Sequence, residues 1–252
     1  MNGRRLLLQA FFFCAAGWIF SLFGLQAGAE VKYFRIMDEI EIATEGAGMR
    51  YALFVPQTYN AQKPAPLILA LHFGGTVTPT YGKDFAEVLI LPALSDLEAI
   101  IVAPNCPGRG WTDAASEDAV LKLLDRVKQR FTIDPKRVVV TGFSMGAIGT
   151  FHFAAKYPEL FSAAVAVSGI PDSDDLSLLK EVPFFVIQSA DDEVFPIEKA
   201  RNAFGKMKSR GVNIKTEIVQ GISHYRTPEF VPALRKAVSW LLEVWKNHEK
   251  TK

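Results

Sequence analysis

The sequence predicts an α/β fold: a mostly parallel central sheet with helices on both faces and no large cap domain. Three observations predict it. Apolar runs at 67–71, 100–104 and 138–140 are continuous rather than alternating, as in strands buried on both faces. Elsewhere the period changes to that of a helix, as in Val120, Leu123, Leu124, Val127 and Phe131. The two patterns alternate from Leu67 onward, and the stretch 169–181 is too short to hold an inserted cap.

The first residues stand apart from this pattern. Arg4 and Arg5 precede an uncharged apolar run from Leu6 to Leu25, and Ala27-Gly28-Ala29 supplies a small-residue processing site before Glu30. These features predict a signal peptide at 1–29, one folded domain at 30–252, and export to the periplasm or the medium. An uncleaved anchor is the alternative, because the run approaches the length that spans a bilayer. Cleavage would leave the protein with no stable membrane association, and with Cys106 as its single cysteine it could form no intramolecular disulfide.

The 252 residues are 49% hydrophobic, enough for one sizeable core. Charge is nearly balanced, at 28 Lys and Arg against 27 Asp and Glu, with no basic stripe or tail. Nucleic acid is therefore not an expected partner. His72, His152, His224 and His248 show none of the spacings that ligate metals, so no metal site is expected.

In chain order, β-rich pieces at 34–42 and 50–55 flank the turn signal Gly46-Ala47-Gly48 and predict an edge hairpin. Strand 67–71 runs into His72-Phe73-Gly74-Gly75, a loop whose backbone N–H groups can approach a ligand or an oxyanion. A helix over 85–94 and strand 100–104 follow, then a loop at 105–111 carrying Arg109 and Trp111. The helical pattern from Ser116 leads to the strand at 138–140. Later strands are expected at 163–168, 182–187 and 213–219, with helices over 197–210 and 231–245.

The chain is organised around Gly142-Phe143-Ser144-Met145-Gly146, where an apolar β-branched run breaks at glycine into a serine and resumes as a helix. In a G-x-S-x-G elbow, residues two positions either side of the serine must be small, because the turn brings them against neighbouring backbone. Small residues Ala147, Ala154 and Ala155 then let the helix lie close to the sheet, with its positive end at Ser144. A nucleophilic serine needs a base, and the base needs an acceptor that sets its tautomer. Candidates follow later strands: the acids of Asp191-Asp192-Glu193, and His224 in Gly221-Ile222-Ser223-His224. All fall at carboxyl ends of strands, where one crevice can collect them.

The segment 132–137 with this elbow, Tyr157-Pro158-Glu159-Leu160-Phe161, and Ser168-Gly169 resembles the α/β-hydrolase serine esterases. The closest likeness is to the branch of phospholipase/carboxylesterases, polyhydroxybutyrate-depolymerase-like esterases and feruloyl esterases. The order Ser, Asp, His is theirs. The resemblance implies a cofactor-independent carboxylesterase that works through an acyl-enzyme on small-molecule or oligomeric esters. It implies Ser144 as nucleophile, His224 as general base and then acid, and Asp192, four residues before Pro196, as triad acid, with Asp191 as the alternative. The Met145 N–H would be one oxyanion donor and that of Phe73 or Gly74 the second. This chain departs from the pattern in having Phe73 where glycine usually follows the histidine, and Ala147 where a third glycine is usual. Arg109 and Trp111 would border the cleft and touch substrate, or else be a surface arginine and a packing tryptophan. Two other readings share the fold: a prolyl-oligopeptidase-like peptidase, which usually carries an accessory domain that 30–252 has no room for, and a non-catalytic binding protein.

Overall fold

In the computed structural model, residues 32–41, 48–172 and 176–250 are described; the expected leader and most of the glycine turn near 46–48 lie outside them. The strands are β1 (Tyr33–Glu41), β2 (Gly48–Pro56), β3 (Ala65–Leu71), β4 (Ile100–Pro104), β5 (Ile133–Phe143), β6 (Ala163–Val167), β7 (Phe184–Ser189) and β8 (Ile214–Val219). They form one eight-stranded sheet in the order β1-β2-β4-β3-β5-β6-β7-β8. β1 and β2 make the antiparallel edge hairpin, β2 runs antiparallel to β4, and the pairings from β4 through β8 are parallel.

The continuous apolar runs are explained by two cores, one on each face. All of β3 is buried. Leu67, Leu69 and Leu71 pack on one face against Leu123 and Val127 of α3 (Ala114–Arg130) and Phe151 of α4 (Met145–Lys156). That layer also holds Phe204 and Met207 of α5 (Ile197–Ser209). Ile68 and Ala70 point the other way, into a core with Leu234 and Leu241 of α6 (Val231–Lys250). A period-2 strand covered on both sides has no polar face to show, which is why alternation is missing from the sequence.

The segment expected to be a helix over 85–94 is helical from Tyr81 to Leu94, as α1 (Tyr81–Phe85) and α2 (Leu91–Leu94) joined by the wider turn Ala86–Ile90. α3 starts two residues earlier than Ser116, because Asp113 caps it: its side chain accepts the Ser116 N–H at 2.8 Å. α6 extends five residues past Trp245. Only the short turn Leu176–Leu179 stands between β6 and β7 among the described residues. Parallel strands put their carboxyl ends along one edge, so the loops after β3, β5, β7 and β8 open on the same side.

Candidate active site

Ser144 sits between β5 and α4 with φ 56° and ψ −116°, a conformation that costs a non-glycine residue about 1–3 kcal/mol and persists only where its surroundings enforce it. The two elbow glycines show what enforces it. A Cβ on Gly142 would lie 2.2 Å from the Gly146 carbonyl oxygen, and one on Gly146 would lie 1.9 Å from that of Leu71. α4 is thereby drawn against the end of β3. Carbonyl 144 accepts the N–H groups of Ala147 (2.8 Å) and Ile148 (3.1 Å), while Met145, as the first helical residue, has no intrahelical acceptor for its own N–H.

The Ser144 Oγ is 2.9 Å from His224 Nε2, and His224 Nδ1 is 3.0 Å from Asp192 Oδ2. The three side chains come from the ends of β5, β7 and β8. Asp192 is 5% exposed and His224 6%. Burial pushes the Asp192 carboxyl up, but the hydrogen bonds it accepts from His224 and from the Phe195 and Val194 N–H groups outweigh that, and it lies below its usual value. An ionised carboxylate only accepts, so Nδ1 carries the proton that donates to it. In the neutral ring Nε2 then keeps its lone pair toward the Ser144 hydroxyl, the tautomer a general base requires.

Asp192 faces the imidazole, and its neighbours grip the same loop elsewhere. Asp191 Oδ2 accepts the Gly221 N–H at 2.6 Å, Glu193 Oε2 accepts the His224 N–H at 2.8 Å, and Ser189 Oγ donates to the Ile222 carbonyl at 2.5 Å. Asp191, the alternative triad acid, thus holds backbone and not the ring. Glu193, grouped with these acids in the sequence, bonds a backbone N–H, a role that no side-chain pattern announces.

The loop after β3 is tied down from beneath. His72 is buried, and burial lowers it to about 4, so the ring is neutral. Its Nε2 accepts the Cys106 N–H at 2.9 Å, which leaves Nδ1–H to donate to the Phe73 carbonyl at 2.6 Å. Trp111 Nε1–H donates to the His72 carbonyl at 2.8 Å and Tyr81 OH to that of Gly74 at 3.1 Å. A trans peptide points its C=O and N–H in opposite directions, so the N–H groups of Phe73 and Gly74 face away from the rings that hold the carbonyls. Phe73, Gly74, Ser144, Met145, His224 and Tyr225 border a cleft of about 370 Å³.

The expectation that Trp111 borders the cleft is corrected. It is 1% exposed, packed in the core against Gly149, where a Cβ would lie 2.4 Å from its own, and its indole is spent on the His72 carbonyl. Arg109 is exposed, and the contact the structure records for it is its backbone N–H on Asp113 at 2.8 Å. Neither side chain is among those that line the cleft. No group of three or more metal-ligating side chains occurs among the described residues.

The Esterase family, described as "Putative esterase", matches residues 43–197. The chain belongs to this family. Its members are α/β-hydrolase serine hydrolases acting on ester bonds. Among curated proteins, the chain is 30% identical over 152 residues to a protein of Aspergillus flavus named Probable feruloyl esterase C, covering 59% of this chain and 56% of that one. It is 28% identical over 155 residues to a bifunctional acetylxylan esterase/xylanase of Neocallimastix patriciarum, covering 60% of this chain and 22% of that one. The chain thus spans about half or less of the length of these relatives. A solved thermostable esterase shares the fold at 24% identity, with a TM-score of 0.69 over 83% of this chain and 62% of its own.

Proposed function

We propose that this family member is an exported carboxylesterase that works through an acyl-enzyme, with Ser144 as nucleophile, His224 as acid and base, and Asp192 as the group that holds and charges the histidine. The single observation that carries this is the hydrogen-bonded chain Ser144 Oγ, His224, Asp192, set on a backbone-strained elbow. In the reaction, Ser144 Oγ attacks the ester carbonyl carbon as its proton passes to His224 Nε2. The tetrahedral intermediate collapses, and the alcohol leaves with that proton. Water then gives a proton to His224 and attacks the acyl-serine, releasing the acid and restoring Ser144. No cofactor is needed for these steps.

The oxyanion is assigned to the Met145 N–H and to that of Phe73 or Gly74. Support comes from the free helix-start N–H and from the carbonyls of the 72–74 loop being turned into the protein. Export rests on the leader-like sequence of residues 1–29.

The names of the relatives and the rings of the cleft suggest the acyl group. Phe73 packs edge-on against Phe85 and Phe143, Phe143 lies 5.3 Å from the His224 ring, and Tyr225 stands 77% exposed at the rim. An aromatic acyl group would find ring partners in the cleft-lining Phe73 and Tyr225. Steady-state hydrolysis of p-nitrophenyl acetate and methyl ferulate tests the reading. Both should be turned over, methyl ferulate with the lower KM, and Ser144→Ala should remove at least roughly a thousandfold of kcat. Hydrolysis that survives Ser144→Ala would refute it.

A further inference from the structure

Beyond the cleft, α4 carries a second cavity of about 400 Å³. Its apolar walls include Ile148, Phe151, Ala155, Leu178 and Leu179, and Thr112, His152, Lys156 and Asp172 supply polar groups. The volume lies in the range of small-molecule sites, and the makeup is typical of them: apolar walls with a few fixed polar groups. Leu178 is 54% exposed, more than the core requires of a leucine.

His152 is held by a carboxylate that ties α4 to α3. Its Nε2 lies 2.8 Å from Glu117 Oε2, and Glu117 also accepts from Lys156 Nζ at 2.7 and 2.8 Å and from Tyr157 OH at 2.6 Å. Burial pushes this carboxyl up, but those three side-chain donors bring it down to about 2. Since Glu117 only accepts, Nε2–H is the donor, and in the neutral imidazole Nδ1 is the ring nitrogen that keeps a lone pair. Among the described residues that atom has no hydrogen-bond partner. The arrangement repeats the carboxylate and imidazole of the triad, with the nitrogens exchanged.

We propose that this cavity is a second binding site, taking an aromatic or aliphatic group that ends in a hydroxyl, whose O–H donates to His152 Nδ1. Its position gives the source of that group. The open face of α4 runs through Met145, Ile148, His152 and Ala155, so a stripe that begins at the cleft leads into the cavity, about 10 Å along the helix. The group is the far end of an extended ester substrate, a part of the inference that rests on the function proposed above.

Binding is tested without turnover. In ¹⁵N-histidine-labelled protein, 4-propylphenol should shift the His152 Nδ1 resonance and bind about fivefold more tightly than its methyl ether, 4-propylanisole, which cannot donate. His152→Phe should erase the difference, and Ile148→Trp, which fills the cavity, should abolish both. Hydrolysis of p-nitrophenyl acetate should stay within about twofold of wild type in both variants. Equal binding of the two probes, or shifts at His224 in place of His152, would overturn the site. For the substrate, p-nitrophenyl 12-hydroxydodecanoate should have a KM several-fold below its 12-methoxy analogue, a ratio lost in both variants. An unchanged ratio with intact phenol binding would overturn the assignment to the substrate's far end and leave the site. Loss of p-nitrophenyl acetate hydrolysis in the wild type would count against the esterase reading alone.

Discussion

The Glu193 carboxylate accepts the backbone N–H of His224 at 2.8 Å, one residue along from the aspartate that holds the same histidine's ring. The His224 imidazole is therefore fixed twice, through its ring and through its main chain, from one acidic tripeptide.

This predicts a positioning role for Glu193. Glu193→Ala should lower kcat roughly ten- to hundredfold through misplacement of the ring, with KM within about twofold. Glu193→Gln keeps an oxygen acceptor and should restore most of the loss. A Gln variant as poor as Ala would mean that the charge, and not the bond, matters. Steady-state kinetics with matched thermal denaturation separates this from simple instability.

Two glycines, one in the elbow and one in α5, carry opposite predictions. At Gly146 an added methyl group would meet the Leu71 carbonyl at 1.9 Å and that of His72 at 2.9 Å, both backbone, so Gly146→Ala should cost about 3 kcal/mol or more, or prevent folding. At Gly205, inside α5, nothing lies within 4 Å, and Gly205→Ala should stabilise by about 1 kcal/mol. Urea denaturation of the two variants gives the comparison.

His72 predicts an acid sensitivity of stability. Its value is about 4 when folded against an ordinary 6.5, because burial disfavours the charged ring. Above pH 6.5 neither state is protonated and the residue contributes no pH dependence. As pH falls below 6.5 the unfolded chain takes up a proton that the folded one refuses, so stability drops, by about 2 kcal/mol at pH 5. His72→Gln should be less stable at pH 7.5 but should lose much less between pH 6.5 and 5. Parallel pH dependences for the two proteins would contradict the assignment.

Much of this architecture was legible because its constraints are local. The Gly142 to Gly146 spacing encodes a steric requirement that a reader can check without coordinates, and the buried strands announce themselves by lacking polar alternation. Asp192 was reachable through the resemblance, and its bond to His224 now distinguishes it from Asp191. What was not legible depends on which atom meets which across 30 or more residues. Glu193 and Asp191 bond to backbone N–H groups, which carry no side-chain signature. Trp111 was placed on the right loop, but the direction of its indole is decided by a carbonyl 39 residues away. The Glu117–His152 pair likewise joins two helices that the sequence keeps 35 residues apart.

The central claim is that Ser144 is an activated nucleophile, and intact mass spectrometry after exposure to a fluorophosphonate tests it most directly. The wild-type protein should gain one phosphonyl adduct, Ser144→Ala should gain none, and His224→Ala should react on the order of a hundredfold more slowly or worse. A folded wild-type protein that stays unmodified, or an adduct that persists in Ser144→Ala, would contradict the account.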